Sequence, residues 1–161
     1  MQVRIIAVGR LKAGPERELA GRYIDRFEKS GRAIGLSGAD IVEIPESRAA
    51  TSRLRRDQEG EAILRALARA DGWFLLDERG DDQTSDGFAQ GLRAAQDRAA
   101  GQLAFVIGGA DGVGVAVRDA APHAIRFGKM TWPHQMVRIL LCEQLYRAVT
   151  ILTGHPYHRG G

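Results

Sequence analysis

The side chains best suited to chemistry gather near the end of the chain. His134, Arg138, His155, Tyr157, His158 and Arg159 fall in the stretch His123 to Gly161, which holds all four histidines and carries a balance of +4. The whole 161-residue chain has a net charge of +3, so everything before that stretch is close to neutral. A basic end on a neutral body suits phosphate-rich ligands, although cations clustered on a solvated helix give the same count. His155 and His158 stand three apart, but Pro156 disfavours a helix presenting both on one face. No carboxylate or thiol cluster joins them, and the pair is read as no metal site.

A second chemical segment is Gly108-Gly109-Ala110-Asp111-Gly112-Val113-Gly114, directly after the apolar run Leu103 to Ile107. Glycines behind a strand let the backbone approach a ligand and expose N–H groups, or they simply make a tight connection. The spacing is neither G-x-G-x-x-G nor a Lys-Ser/Thr phosphate loop, which removes the defining residues of dinucleotide and triphosphate sites. Arg53, Arg55 and Arg56 sit near the start of a helical pattern, where the helix dipole disfavours cations. They point either to an external anion or to a solvated turn.

Periodicity supplies the elements that must position these groups. Strands are expected at Val3 to Val8, Ile41 to Ile44, Trp73 to Asp77, Leu103 to Ile107 and Ile125 to Phe127. Between them, Leu19, Tyr23 and Phe27 mark a helix ending near Gly31. A second helix, capped by Thr51 or Ser52, turns Leu54, Ile63, Leu64 and Leu67 inward. Phe88, Leu92, Ala95 and Ala99 mark a third, and a short one covers Val115 to Ala121. The last runs Met136 to Leu152, with Val137, Leu140, Leu141, Leu145, Ala148 and Leu152 facing the core.

Such alternation specifies one α/β domain, residues 1–161, built on a largely parallel sheet with helices on both faces. Ligands of these sheets sit beyond the carboxyl ends of the strands. Three segments fall there: Leu76-Asp77-Glu78, Gly108 to Gly114, and Gly128 to Pro133. At 44% hydrophobic and 27% charged, the composition is that of a soluble globular chain. No apolar run reaches the ~18–20 residues of a membrane span. The single cysteine, Cys142, excludes an internal disulfide, fits a reducing compartment and reads as packing on an apolar helix face. Trp132 is expected either to stack on a ligand ring or to cap the core beside Pro133. Asp77 and Glu78 either orient a ribose or are simply solvated.

The combination is more specific than its parts. The turn GGADG, the helix PHQMVRILLCEQLYRA opening at His134 and the terminal HPYHR resemble the SPOUT methyltransferases. More narrowly they resemble the RlmH family of 23S ribosomal RNA (pseudouridine-N3) methyltransferases, which act on a pseudouridine in the helix 69 stem-loop. The likeness spans the chain, including AVG in the first strand, IPE after the second and EGE in the second helix. It implies a deep trefoil knot at the C-terminal end, which the general rule against knots would otherwise exclude. It also implies a cytoplasmic homodimer acting on ribosomal RNA, on ribosomes rather than on DNA or membranes.

The same resemblance implies S-adenosylmethionine as methyl donor, held mostly by main-chain groups of Leu76, Gly109 and the run Gly128, Lys129, Met130, Thr131, Trp132 and Pro133. Pseudouridine N3 must lose a proton, so a base or a cation favouring the imidate is needed. His158 and Arg159 are the preferred candidates, Tyr157 partners the base, and His134 and Arg138 are further candidates. The competing expectation is that HPYHR only docks on the dimer partner and seals the knot. Arg138, Glu143 and Arg147 are expected as an ion-pair face, with Arg147 equally placed to line a dimer or RNA surface. Another RNA base, or a non-catalytic RNA-binding protein, are the alternative functions; a nicotinamide oxidoreductase lacks its acidic ribose ligand.

Overall fold

The computed structural model describes residues 1–158. Five strands, β1 (Gln2–Val8), β2 (Ser37–Ile44), β3 (Gly72–Asp82), β4 (Gln102–Ile107) and β5 (Ala124–Arg126), form one sheet in the order β2-β1-β4-β3-β5. Every pairing in it is parallel. The helices are α1 (Pro15–Gly31), α2 (Ser52–Ala66), α3 (Ser85–Asp97), α4 (Val115–Ala120) and α5 (His134–Leu152). α1, α3 and α5 cover one face, and α2 and α4 the other.

The two central strands are apolar throughout because both faces are covered. Val3, Ile5 and Ala7 of β1 point to the three-helix side, while Ile6 and Val8 point to the other. β4 repeats the pattern, with Leu103, Phe105 and Ile107 on the first side and Ala104 and Val106 on the second. Caps fall where short hydroxylic residues precede the helices. Thr51 Oγ1 accepts from Leu54 N–H at 3.2 Å, and Thr84 Oγ1 from Gly87 N–H at 3.0 Å.

Several sequence expectations are corrected. Leu54 is 43% exposed on the solvent side of α2, and Ala99 lies beyond α3 at φ 57°. Leu140 and Leu152 are only half-buried, whereas Ile139, Tyr146 and Val149 are buried; α5 packs against both α1 and α3, so its apolar arc is wider than one stripe. β2 begins at Ser37, four residues before Ile41. The register against β1 shifts between Val3 and Arg4, opposite Gly38 (φ 88°) and Ala39 (φ 70°), so the segment IGLSGAD closes a 3-10 turn at Ile34 and Gly35 and enters β2 at Ser37 with a bulge. A Cβ at Gly38 would stand 2.6 Å from Val3 O, so this bulge requires glycine.

β3 is also longer than its apolar core. It pairs with β5 through Leu75 and Leu76, leaves the ladder, and returns through Asp81 and Asp82. The excursion, residues 77–80, stands at the carboxyl end of the sheet, where the glycine turn after β4 and the loop after β5 also emerge.

Candidate functional site

Those three segments enclose one cavity of about 820 Å³, well within the size of small-molecule sites. Leu76 and Gly109 line it from the ends of β3 and β4. Gly128, Met130, Thr131, Trp132 and Pro133 line it from the loop before α5. Lys129 belongs to the same loop but not to the lining. Three segments separated in the chain thus share one hollow.

Glycine is built into its walls. A Cβ on Gly108 would come within 2.8 Å of Val113 Cγ1, and one on Gly109 within 2.9 Å of Val8 Cγ1. Gly112 (φ 75°) closes the turn by donating its N–H to Gly109 O at 2.9 Å. Gly128 (φ 90°) opens the following loop into free space. Trp132 is 41% exposed, and its indole Nε1–H donates to Phe127 O at 3.0 Å, which anchors the loop on its own start. Pro133 caps α5, and its carbonyl accepts from Val137 N–H.

Of the three arginines that open α2, Arg55 meets neither an external anion nor solvent alone but a carboxylate of the chain itself. Arg55 grips Asp111 of the glycine turn through Nε at 2.6 Å and Nη2 at 3.1 Å, a two-point fork. The hydrogen bond from Arg55 holds the Asp111 carboxyl below its usual range. One turn along α2, Glu59 is buried behind Gly109 and accepts from Ser47 N–H at 2.8 Å. Burial pushes the Glu59 carboxyl up, against the pull of that hydrogen bond, and the charges of Asp111 and Glu46 add to the rise. Glu59 was missed as a candidate; its only sequence signal is the EGE triplet.

Asp77 lines the cavity and is not simply solvated. Its side chain is 7% exposed, accepts from Arg118 Nη2 at 3.0 Å and from Arg79 N–H at 2.9 Å. Arg126 similarly pairs with Asp82 at 2.8 and 2.9 Å. Arg138 is corrected more sharply. It is 1% exposed, outside the cavity lining, and donates to Glu43 Oε1 at 2.6 Å and to Gly9 O at 2.8 Å. It is therefore not part of an ion-pair face with Glu143, nor able to reach a substrate. His134 does line the cavity, 3.9 Å from Glu46 Oε1.

The tail lies elsewhere. Tyr157 O–H donates to Glu143 Oε1 at 3.0 Å, and its ring lies 4.7 Å from that of Tyr146, tilted by 55°, beneath the Arg147 guanidinium. Burial and the bond to Glu143 push the Tyr157 phenol well above its usual range. Arg147 donates through Nε to Glu143 at 2.9 Å, so this part of the expected ion-pair face forms. His158 contacts Arg147 through Nδ1 at 3.3 Å, and its Nε2 lies 3.6 Å from Asp86. Within one chain, Tyr157 and His158 thus rest against α5 and do not line the cavity; Arg159 lies outside the described residues. Cys142 is buried, as expected. Among the described residues no group of three His, Cys, Asp or Glu could hold a metal ion, and no helix is long and apolar enough to cross a membrane.

The chain matches, over residues 1–158, the family model described as Predicted SPOUT methyltransferase. It is 54% identical to the Ribosomal RNA large subunit methyltransferase H of Rhizobium meliloti (strain 1021) over 159 residues, 99% of each chain. The protein of the same name from Bradyrhizobium diazoefficiens is also 54% identical with the same coverage. Among solved structures, a probable methyltransferase from Bordetella pertussis Tohama I aligns with a TM-score of 0.53 at 15% identity, covering 91% of this chain and 95% of that one. A probable methylase family protein from Haemophilus influenzae Rd KW20 aligns at 0.55 and 12% identity, covering 98% of this chain and 70% of that one. At these identities the likeness is one of fold.

Proposed function

Since the chain belongs to the SPOUT methyltransferase family, we propose that it methylates large-subunit ribosomal RNA at N3 of a pseudouridine in helix 69, on assembled ribosomes in the cytoplasm. The observation that carries this reading is the convergence of Leu76, Gly109 and the 128–133 loop on one cavity at the carboxyl ends of the strands. The names of the 54% identical relatives support the RNA substrate. When bound, S-adenosylmethionine supplies a methyl group on a positively charged sulfur, open to in-line attack by a base nitrogen. The cavity fits that donor. Its volume is adequate, and Gly108, Gly109, Gly112 and Gly128 line it, leaving main-chain groups along the wall free of side chains.

The residues of the chain then have distinct tasks. Gly109 and residues 128–133 orient the donor through backbone atoms, and Arg55 holds the turn in place through Asp111. Positioning of the two reactants is the main demand, because the donor is already activated. The remaining demand is removal of the N3 proton, which we assign to the tail. His158 takes the proton, Arg159 favours the imidate, and Tyr157 partners the base. In this reading the protein is a homodimer with a C-terminal trefoil knot, and the tail of one copy completes the cavity of the other. The absence of Tyr157 and His158 from the lining of their own cavity favours completion in trans.

A purely architectural tail is the second reading, favoured by the bond from Tyr157 to Glu143. Methyl transfer to intact ribosomes, with the product nucleoside identified, tests the function. His158→Ala and Arg159→Ala test the tail. Unchanged turnover with intact donor binding removes it from the chemistry.

A further inference from the structure

The arginines around the cavity mouth fall into two groups. Arg118 is engaged by Asp77, Arg126 by Asp82, and Arg55, just behind, by Asp111. Arg56 from α2 and Arg79 from the β3 excursion also line the cavity, and among the described residues neither guanidinium has a carboxylate or hydrogen-bond partner. The charge of Arg56 acts on Asp111, but both oxygens of that carboxylate are already taken by Arg55. Near Arg79, Asp77 is taken by Arg118 and by a backbone N–H, which leaves Glu78 as the one lining carboxylate without a guanidinium.

The same mouth exposes apolar side chains. Val115 is 67% exposed, Met130 75% and Trp132 41%, and all three belong to the lining. Uncompensated guanidiniums beside exposed apolar and aromatic surface make the composition of a nucleic-acid interface, where cations meet phosphates and flat side chains meet bases. A small donor molecule accounts for the hollow but not for apolar groups left facing outward around it.

We propose that Arg56 and Arg79 grip RNA phosphates beside the target nucleotide, with Val115, Met130 and Trp132 as the surface on which neighbouring bases rest. This rests on the RNA methyl-transfer reading above, and it adds which cations meet RNA and which only hold the fold.

The test measures binding of the full-length protein to purified bacterial 70S ribosomes across a series of KCl concentrations, with S-adenosylhomocysteine affinity measured separately by calorimetry. Arg56→Ala/Arg79→Ala is expected to lower the slope of log affinity against log salt by about 2, one per phosphate contact. S-adenosylhomocysteine affinity is expected to stay at the wild-type value. Arg56→Lys/Arg79→Lys is expected to keep the wild-type slope, since a point charge still neutralises phosphate. Arg79→Ala alone, at an exposed position, is expected to lower the slope by about 1. An unchanged slope in the double alanine variant overturns the proposal. So does a loss of S-adenosylhomocysteine affinity with ribosome binding intact, which would give both arginines to the donor. If the wild type itself shows no salt-dependent ribosome binding, the RNA methyl-transfer reading falls, and the proposal with it.

Discussion

Arg138 Nη1 lies 2.6 Å from Glu43 Oε1, a bond that joins the last helix to the second strand across 95 residues of chain. The cation is buried, while Glu43 keeps 30% of its side chain exposed and also accepts from Leu11 N–H at 2.9 Å. Burial pushes the Glu43 carboxyl up, but the Leu11 N–H and the bond and charge of Arg138 outweigh it, leaving the group below its ordinary 4.5. Its stabilising share is therefore present above pH 4.5 and is lost as pH falls through the lowered folded value. Glu43→Gln is expected to cost about 3 kcal/mol at pH 7, because it strands a buried cation, and less at pH 3. Urea unfolding at the two pH values measures the difference.

Glu59 has the opposite sign. Its folded pKa lies above the ordinary 4.5, so ionisation costs stability as pH rises through that value. Glu59→Gln keeps an acceptor for Ser47 N–H and removes the buried charge. Thermal melts are expected to place the variant above wild type at pH 8 and level with it at pH 4.

The fork between Arg55 and Asp111 holds the cavity wall from behind, since Asp111 belongs to the lining and Arg55 does not. Asp111→Asn and Arg55→Gln are each expected to weaken donor binding several-fold, raising KM for S-adenosylmethionine while kcat at saturation stays close to wild type. The double variant is expected to be no worse than either single, since both remove the same contact.

Gly80 permits β5 to lie against β3. A Cβ there would stand 2.5 Å from Ile125 N and 2.6 Å from Ile125 C, backbone atoms that cannot rotate away. Gly80→Ala is expected to cost about 1–3 kcal/mol. Ile125 and Arg126 line the cavity, so S-adenosylhomocysteine affinity measured by calorimetry is expected to fall as well.

Cys142 offers a clean reporter because it is the only cysteine. Burial pushes its thiol up to about 12, so native protein at pH 8 presents almost no thiolate. Iodoacetamide is expected to leave the folded chain unlabelled and to modify it fully in denaturant, as mass spectrometry reads directly.

The sheet was legible from its apolar runs because β1 and β4 are covered on both faces. The cavity was legible because strand ends in a parallel sheet mark where ligands bind. What escaped was set by partners far along the chain. Nothing near Arg138 reveals that Glu43 will neutralise it, and nothing near Arg55 reveals Asp111. The bulge in β2 escaped for a related reason: Gly38 and Ala39 break the alternation that identifies strands, and only their register against Val3 and Arg4 restores it. Motif chemistry singles out Tyr157 and His158, while their resting place beside Glu143 and Arg147 depends on how the tail turns back after α5.

Placing β1 between β2 and β4 also sets a timetable for the nascent chain. β1 cannot gain its second neighbour until Gln102–Ile107 has been made. At roughly 5–20 residues per second, that takes on the order of 5–20 s after β1 itself has been made. Through that interval Ile5, Ile6 and Val8 have one flank bare, so this central apolar strand waits longest for its full cover.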